Sequence, residues 1–199
     1  MNLRSIMMSY KFKRILESIE KSQKVINVLP LENNILDNIL NKYDINKDGI
    51  LGTILYNTGG IIIDKWIRIL GSGKLNFDLK NQSFPYDNIV VAEDILGGLF
   101  LFMNNGNIGY FAPDLLEFED LEITYSQFIY WCIQGDTDTF YVNYRWNNWE
   151  EEVKDISLDN GVAFYPFLWT DADSIESRTR KQIPMSEIIG LEFDFLKQL

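Results

Sequence analysis

Histidine is missing from all 199 residues. Without imidazole the chain has no Ser-His-Asp or Cys-His nucleophile system and no side chain that ordinarily titrates near neutrality. It also lacks the commonest metal ligand. A single cysteine, Cys132, leaves nothing to form a disulfide within the chain and no thiolate set for structural zinc. Acid–base chemistry would fall to carboxylates, lysines, tyrosines or a borrowed cofactor, and no motif requires a cofactor or a metal.

Long apolar runs are lacking too. None approaches the roughly 20 residues of a membrane helix, and Lys11, Lys13 and Arg14 interrupt the start of the chain before a secretory signal core can form. Cys132 lies inside the apolar run 128–133, so a reducing, cytoplasmic setting is expected, with no membrane partner. Hydrophobic residues make up 46% and charged residues 24%, as in an ordinary globular protein with one core. The expected organisation is a single structural domain, in which a helical segment over residues 1–45 packs on an α+β domain over 46–199.

Charge is unevenly laid out. The formal net charge is -11, yet residues 1–24 carry six Lys/Arg against Glu17 and Glu20, while residues 93–159 carry fourteen Asp/Glu against Arg145 and Lys154. Such an acidic field repels nucleic acid and steers basic proteins toward itself. Acids that merely solvate outer helix faces would give the same pattern.

Residues 7–24 predict an amphipathic helix, with Ile6, Tyr10, Ile15, Ile19 and the later Val25 on its apolar stripe. Glu17 and Glu20 among the opposing lysines favour packing on the protein's own core over a membrane surface. A second helix is expected over 31–43, from Leu31, Ile35, Ile39 and Leu40. Past Gly59-Gly60 the β-branched runs 61–63 and 66–70 predict a strand or hairpin, ended by Gly71-Ser72-Gly73. The polar residues 74–87 predict a loop, and 88–92, 98–103 and 109–112 an antiparallel meander. After Pro113 a helical period returns over 125–134, 137–144 and 147–156, the last capped by Asn147 or Asn148. A strand over 161–165, a polar loop over 171–181 and a helical or partly extended segment from Met185 to Leu199 complete the chain. Helices, then sheet, then helices give an α+β fold, a mostly antiparallel sheet flanked by helices.

Several stretches invite a chemical reading. Asp44, Asn46, Asp48 and Gly49 open like a calcium-binding helix–loop–helix, but position twelve is Leu55 instead of glutamate, so a plain Asx/Gly turn is expected. Gly71-Ser72-Gly73-Lys74 lacks the spacing of a phosphate-binding loop. Glu93, Asp94, Asp114, Glu117, Glu119 and Asp120 could supply a general acid and base. Tyr125, Phe128, Ile129 and Cys132 share one helical stripe and should be buried. Trp146 and Trp149 precede Glu150, Glu151 and Glu152, an aromatic and acidic combination suited to a basic partner.

The ordered runs Gly59-Gly-Ile-Ile-Ile-Asp64, Trp66-Ile-Arg-Ile-Leu-Gly-Ser-Gly73, Ala92-Glu-Asp-Ile-Leu-Gly-Gly98, Tyr110-Phe-Ala-Pro-Asp114, Arg145-Trp146, Trp149-Glu-Glu-Glu-Val153 and Phe164-Tyr-Pro-Phe-Leu-Trp169 resemble the bacterial domain-of-unknown-function family 2625. The likeness covers about residues 50–192 and implies an α+β fold but no established activity. Where that family commonly has Asp-His-Gly-Trp, this chain has Asp64-Lys65-Trp66, one residue shorter and without the histidine. The glycine-rich strand pattern is similar, more weakly, to the SUKH group (Smi/Knr-like domains), many of them immunity proteins that neutralise toxins. That second likeness implies a binding role by analogy.

These readings converge on a non-catalytic protein-binding module, an immunity or adaptor protein whose acidic face holds a basic partner such as a toxin. The candidate interface residues are Trp66, Arg68, Glu93, Asp94, Asp114, Trp146, Trp149, Glu150 and Glu151. The alternatives are a carboxylate-dependent hydrolase built on Glu93, Asp94 or Asp114, and a structural subunit of a homo-oligomer.

Overall fold

The structure, a computed structural model, describes residues 9–32, 36–171 and 174–198. Ile6, Met7, Ile35 and Leu199, which the sequence assigns to helical segments, lie outside the described residues.

Helix α1 (Tyr10–Glu20) opens at Ser9, whose hydroxyl accepts the Phe12 amide at 3.2 Å. Phe12 and Ile15 are buried and Ile19 packs beside them. Tyr10 and Val25, expected on the same stripe, are 74% and 69% exposed. At about 100° per residue Tyr10 sits far around the helix from Ile15, and Val25 falls beyond the helix, which ends at Glu20. A strand the sequence does not predict follows, β1 (Ile26–Val28). Helix α2 (Leu36–Lys42) buries Ile39 and Leu40 as expected. Helix α3 (Ile50–Asn57) is a further addition. Apolar nearly all round, it has no period to betray it, and Gly59-Gly60 follows its end instead of preventing its start.

Strands β2 (Gly60–Ile63) and β3 (Ile67–Leu70) form the expected hairpin. Asp64 and Lys65 both take left-handed backbone (φ 51° and 58°), and the Trp66 amide donates to the Ile63 carbonyl at 2.9 Å. Glycine is required just after β3, because a Cβ on Gly71 would run into the backbone of Gly59 and Gly60. The amides of Gly71 and Ser72 donate to the carbonyls of Leu75 (2.7 Å) and Thr58 (2.9 Å), so they are not free to cradle a phosphate.

In the stretch 74–87, where polarity predicts a loop, the structure has helix α4 (Phe77–Ser83), capped by Asn76 and buried through Phe77. Strands β4 (Val90–Asp94), β5 (Leu99–Phe102) and β6 (Ile108–Ala112) continue the meander as expected. Strand β7 (Glu117–Ile123) extends it, making a seven-stranded sheet ordered β1 to β7 with antiparallel neighbours throughout. Glu117, Glu119, Asp120 and Glu122 stand exposed on this edge strand, where charge opposes pairing with another chain.

Helix α5 (Tyr125–Gln134) carries a Thr124/Gln127 capping box and buries Tyr125, Phe128, Ile129 and Cys132, the expected stripe. Short helices α6 (Thr137–Phe140) and α7 (Trp149–Val153) follow. Strands β8 (Asn160–Tyr165) and β9 (Thr179–Pro184) pair with each other outside the main sheet, β9 taking residues 179–181 at the end of the predicted 171–181 loop and running on to Pro184. Helix α8 (Met185–Leu196) ends the fold.

The sheet separates two apolar layers. Phe100 packs on Phe128 of α5 with ring centroids 4.7 Å apart, while Phe111, on the alternate face, stacks on Phe193 of α8 at 4.8 Å. The protein is thus α+β, as the sequence predicts.

Candidate functional site

Glu93 and Asp94 are consecutive residues of β4, so their side chains leave opposite faces of the sheet. Glu93 meets the Arg68 guanidinium at 3.6 Å and also pairs with Lys80 of α4. Arg68 in turn donates to the carbonyls of Leu158 (2.9 Å) and Ser157 (3.2 Å), tying β3 to the connector between α7 and β8. Burial lowers the Arg68 pKa, and the Glu93 charge works against that. On the other face Asp94 accepts from the hydroxyls of Tyr110 (2.7 Å) and Tyr141 (3.1 Å) and from the amides of Leu96 (2.9 Å) and Gly98 (3.0 Å). Burial raises its pKa while these bonds pull it back, and burial lifts both tyrosines well above their usual range.

Three of the expected aromatic residues come together. Trp66 lies 5.8 Å from Trp146 and 5.0 Å from Trp149, ring to ring. Arg145 spreads over the Trp149 and Trp66 rings at 4.3 and 5.1 Å and pairs with Asp138. The interface expectation needs correction here. Trp66, Arg68, Glu93, Asp94 and Trp146 are at most 3% exposed, engaged with the protein's own interior, and cannot touch a macromolecular partner. Asp114 is half-buried beside Tyr144, whose hydroxyl pKa is raised by burial first and by Asp114 second. Among the candidates Glu150 and Glu151 are exposed and Trp149 is half-exposed.

Trp149 and Glu150 border a cleft of about 870 Å³ between the α1–β1 connector, the β2–β3 turn, the end of α5 and helix α7. Lys21, Lys24, Lys65 and Lys154 line it, with Asp64 and Asp138. The Ser22 hydroxyl donates to the Ile133 carbonyl at 2.5 Å and the Lys24 ammonium to that of Cys132 at 2.9 Å, which seats the connector on the last turn of α5. The Asp64 carboxylate accepts the Val25 amide at 2.8 Å and holds the hairpin turn against the same connector. Burial lowers the Lys24 pKa, and the nearby Asp64 partly restores it. Sequence reasoning missed this group of lysines. The basic excess of residues 1–24 is its one outward sign, and Lys65 lies outside that stretch, between the two strands of the hairpin.

The Asp44-to-Gly49 segment folds as an Asx turn, the Asp48 amide donating to Asn46 Oδ1 at 2.9 Å. Helix α3 begins directly after Gly49 and Leu55 is fully buried within it, so no calcium-wrapping loop of twelve residues can form. Among the described residues no three His, Cys, Asp or Glu side chains gather as a metal site, and no helix is long and apolar enough to cross a membrane.

The ordered motifs quoted from the sequence are therefore strands and turns of the main sheet, the tryptophan cluster, and, in Phe164 to Trp169, the end of β8 and the connector after it, where Trp169 stacks on Phe167. The model of the family described as a protein of unknown function, DUF2625, matches residues 9–188. The chain belongs to that family. It is 33% identical over 181 residues to the uncharacterized protein YbfG of Escherichia coli (strain K12), covering 83% of this chain and 82% of that protein. An uncharacterized protein of Haemophilus influenzae is 32% identical over 153 residues, 67% of each chain. No solved structure matches. The family match begins at residue 9, so α1 and β1, both lining the cleft through their connector, belong to the family's unit. The weaker likeness to the SUKH group gains no support from these matches.

Proposed function

We propose that the protein is a non-catalytic protein-binding module, of immunity or adaptor type, that holds a basic protein partner in the cytoplasm. The carrying observation is the division of its acids. Glu93 and Asp94, the natural pair for acid–base catalysis, diverge to opposite faces and are bound up with Arg68, Lys80, Tyr110 and Tyr141. Glu150 and Glu151 stand exposed on α7 next to the half-exposed Trp149. An aromatic anchor rimmed by solvated acids suits a partner that presents lysines and arginines.

Affinity capture on the immobilised full chain, eluted with rising salt, tests the reading. A specific partner should elute as ionic strength increases, and the variant carrying Glu150→Gln and Glu151→Gln should capture about tenfold less while melting as the parent does. Capture indifferent to both salt and the double substitution would remove the basis for the proposal.

A further inference from the structure

The cleft beside α7 has an electrostatic character opposite to that of the chain. Of its acids, Asp138 is paired with Arg145, and Asp64 accepts the Val25 amide. Lys154 is neutralised by Glu151 at 2.7 Å. Among the described residues Lys21, Lys24 and Lys65 enter no ion pair, and Lys24 donates only to the Cys132 carbonyl. Three ammonium groups thus stand against the two carboxylates of Asp64 and Glu150 in a cleft whose apolar walls are Trp149, Ile133 and Val25. Its volume of about 870 Å³ is that of a small-molecule site, not of a flat protein contact.

We propose that this cleft binds a small phosphate monoester carrying a planar apolar group, the phosphate held by Lys21, Lys24 and Lys65 and the planar group set against Trp149. Two or three ammonium groups match a phosphate dianion better than a single carboxylate, and lysine serves phosphate as a point charge. The chain as a whole carries a net charge of -11 and so repels long polyanions that would extend beyond the cleft, which favours a small anion over nucleic acid. Trp149 and Glu150 belong to both this reading and the protein-binding one, but the latter is tested by Glu150→Gln with Glu151→Gln and this one by Lys21→Gln with Lys65→Asn, so the two fail separately.

Phenyl phosphate is the probe, titrated calorimetrically into the full chain at low ionic strength, with inorganic phosphate and phenol as the two halves of the ligand. Saturable binding is expected for phenyl phosphate, about tenfold weaker for inorganic phosphate, and absent for phenol. The variant Lys21→Gln with Lys65→Asn should lose about tenfold in affinity; asparagine tolerates the left-handed backbone at that turn, so the fold is kept. A second readout is the indole N–H signal of Trp149, assigned with Trp149→Phe, which should shift on titration. No saturation with phenyl phosphate, unchanged affinity in the double variant, or equal binding of inorganic phosphate without a Trp149 shift would each overturn the assignment.

Discussion

Replacing Glu192 by glutamine should make the protein more resistant to alkali, by an amount that grows with pH. Glu192, on α8, is 1% exposed and its carboxyl packs over Gly97, where a Cβ would collide with it and where φ is +100°. The crevice around it is lined by Leu96, Val162, Phe164, Ile183 and Ile188, and its Oε2 finds no hydrogen-bond partner among the described residues. Burial first, and the Asp94 charge second, push its pKa well above the usual carboxylate range. The folded state therefore keeps a proton that the unfolded chain releases near pH 4 to 5, so this group favours folding most below that range. Stability is then lost as pH rises toward the folded-state pKa, by about 1.4 kcal/mol per pH unit. Glutamine has nearly the shape of the neutral acid and nothing to ionise.

Urea unfolding followed by tryptophan fluorescence from pH 4 to pH 9 measures the difference. Wild type and Glu192→Gln should have nearly equal stability at the acid end and diverge above about pH 5. In thermal scans the gap should widen by about 3–6 °C per pH unit, given a chain of this length. Asp94 is present in both proteins, so its own raised pKa largely cancels in the comparison. Parallel stability curves, or a wild type favoured at neutral pH, would refute the claim that Glu192 is buried without compensation.

Other substitutions probe the remaining buried polar groups. Arg68→Met should cost about 2–3 kcal/mol in urea unfolding, because it leaves Glu93 with Lys80 as its one cation and the carbonyls of Ser157 and Leu158 without their donor; a loss under about 1 kcal/mol would contradict the buried ion pair. Asp94→Asn should cost about 2–3 kcal/mol, since an amide cannot accept from Tyr110, Tyr141, Leu96 and Gly98 together. Thr124→Ala, which dismantles the capping box of α5, should lower stability by about 1 kcal/mol by the same measurement. Calcium titrated to millimolar levels should leave tryptophan fluorescence unchanged, because Leu55 is locked in the core.

What the sequence made legible was whatever carried a strong period. The β2–β6 meander is written in β-branched runs punctuated by glycine, and α5 in its stripe of Tyr125, Phe128, Ile129 and Cys132. Elements at the rim were opaque for a physical reason. Strands β7 and β9 are only partly covered, with half-buried positions scattered among exposed ones, so their sequences look like polar loop. Helix α4 is held by one fully buried residue, Phe77. Site residues were harder still, because their environment comes from distant parts of the chain. Arg68 is neutralised by Glu93 of β4 and bonded to Leu158, 90 residues away, and nothing local to it distinguishes a buried guanidinium from an exposed one.

The acidic block illustrates the same limit and narrows the binding proposal. Its charges are contiguous in sequence but fall in different places. Glu93 and Asp94 are inside. Glu117, Glu119, Asp120 and Glu122 lie on the edge strand β7, whereas Glu150 and Glu151 lie on α7, which packs on Trp66 at the β2–β3 turn. With adjacent strands about 4.8 Å apart, β3 and β7 are separated by about 19 Å across the sheet. That exceeds the Debye length of about 8 Å at physiological ionic strength. A partner docked at α7 would thus feel the local carboxylates and the cleft lysines, with β7 screened from it. Affinity should accordingly follow Glu150 and Glu151 closely and respond little to neutralising the edge strand.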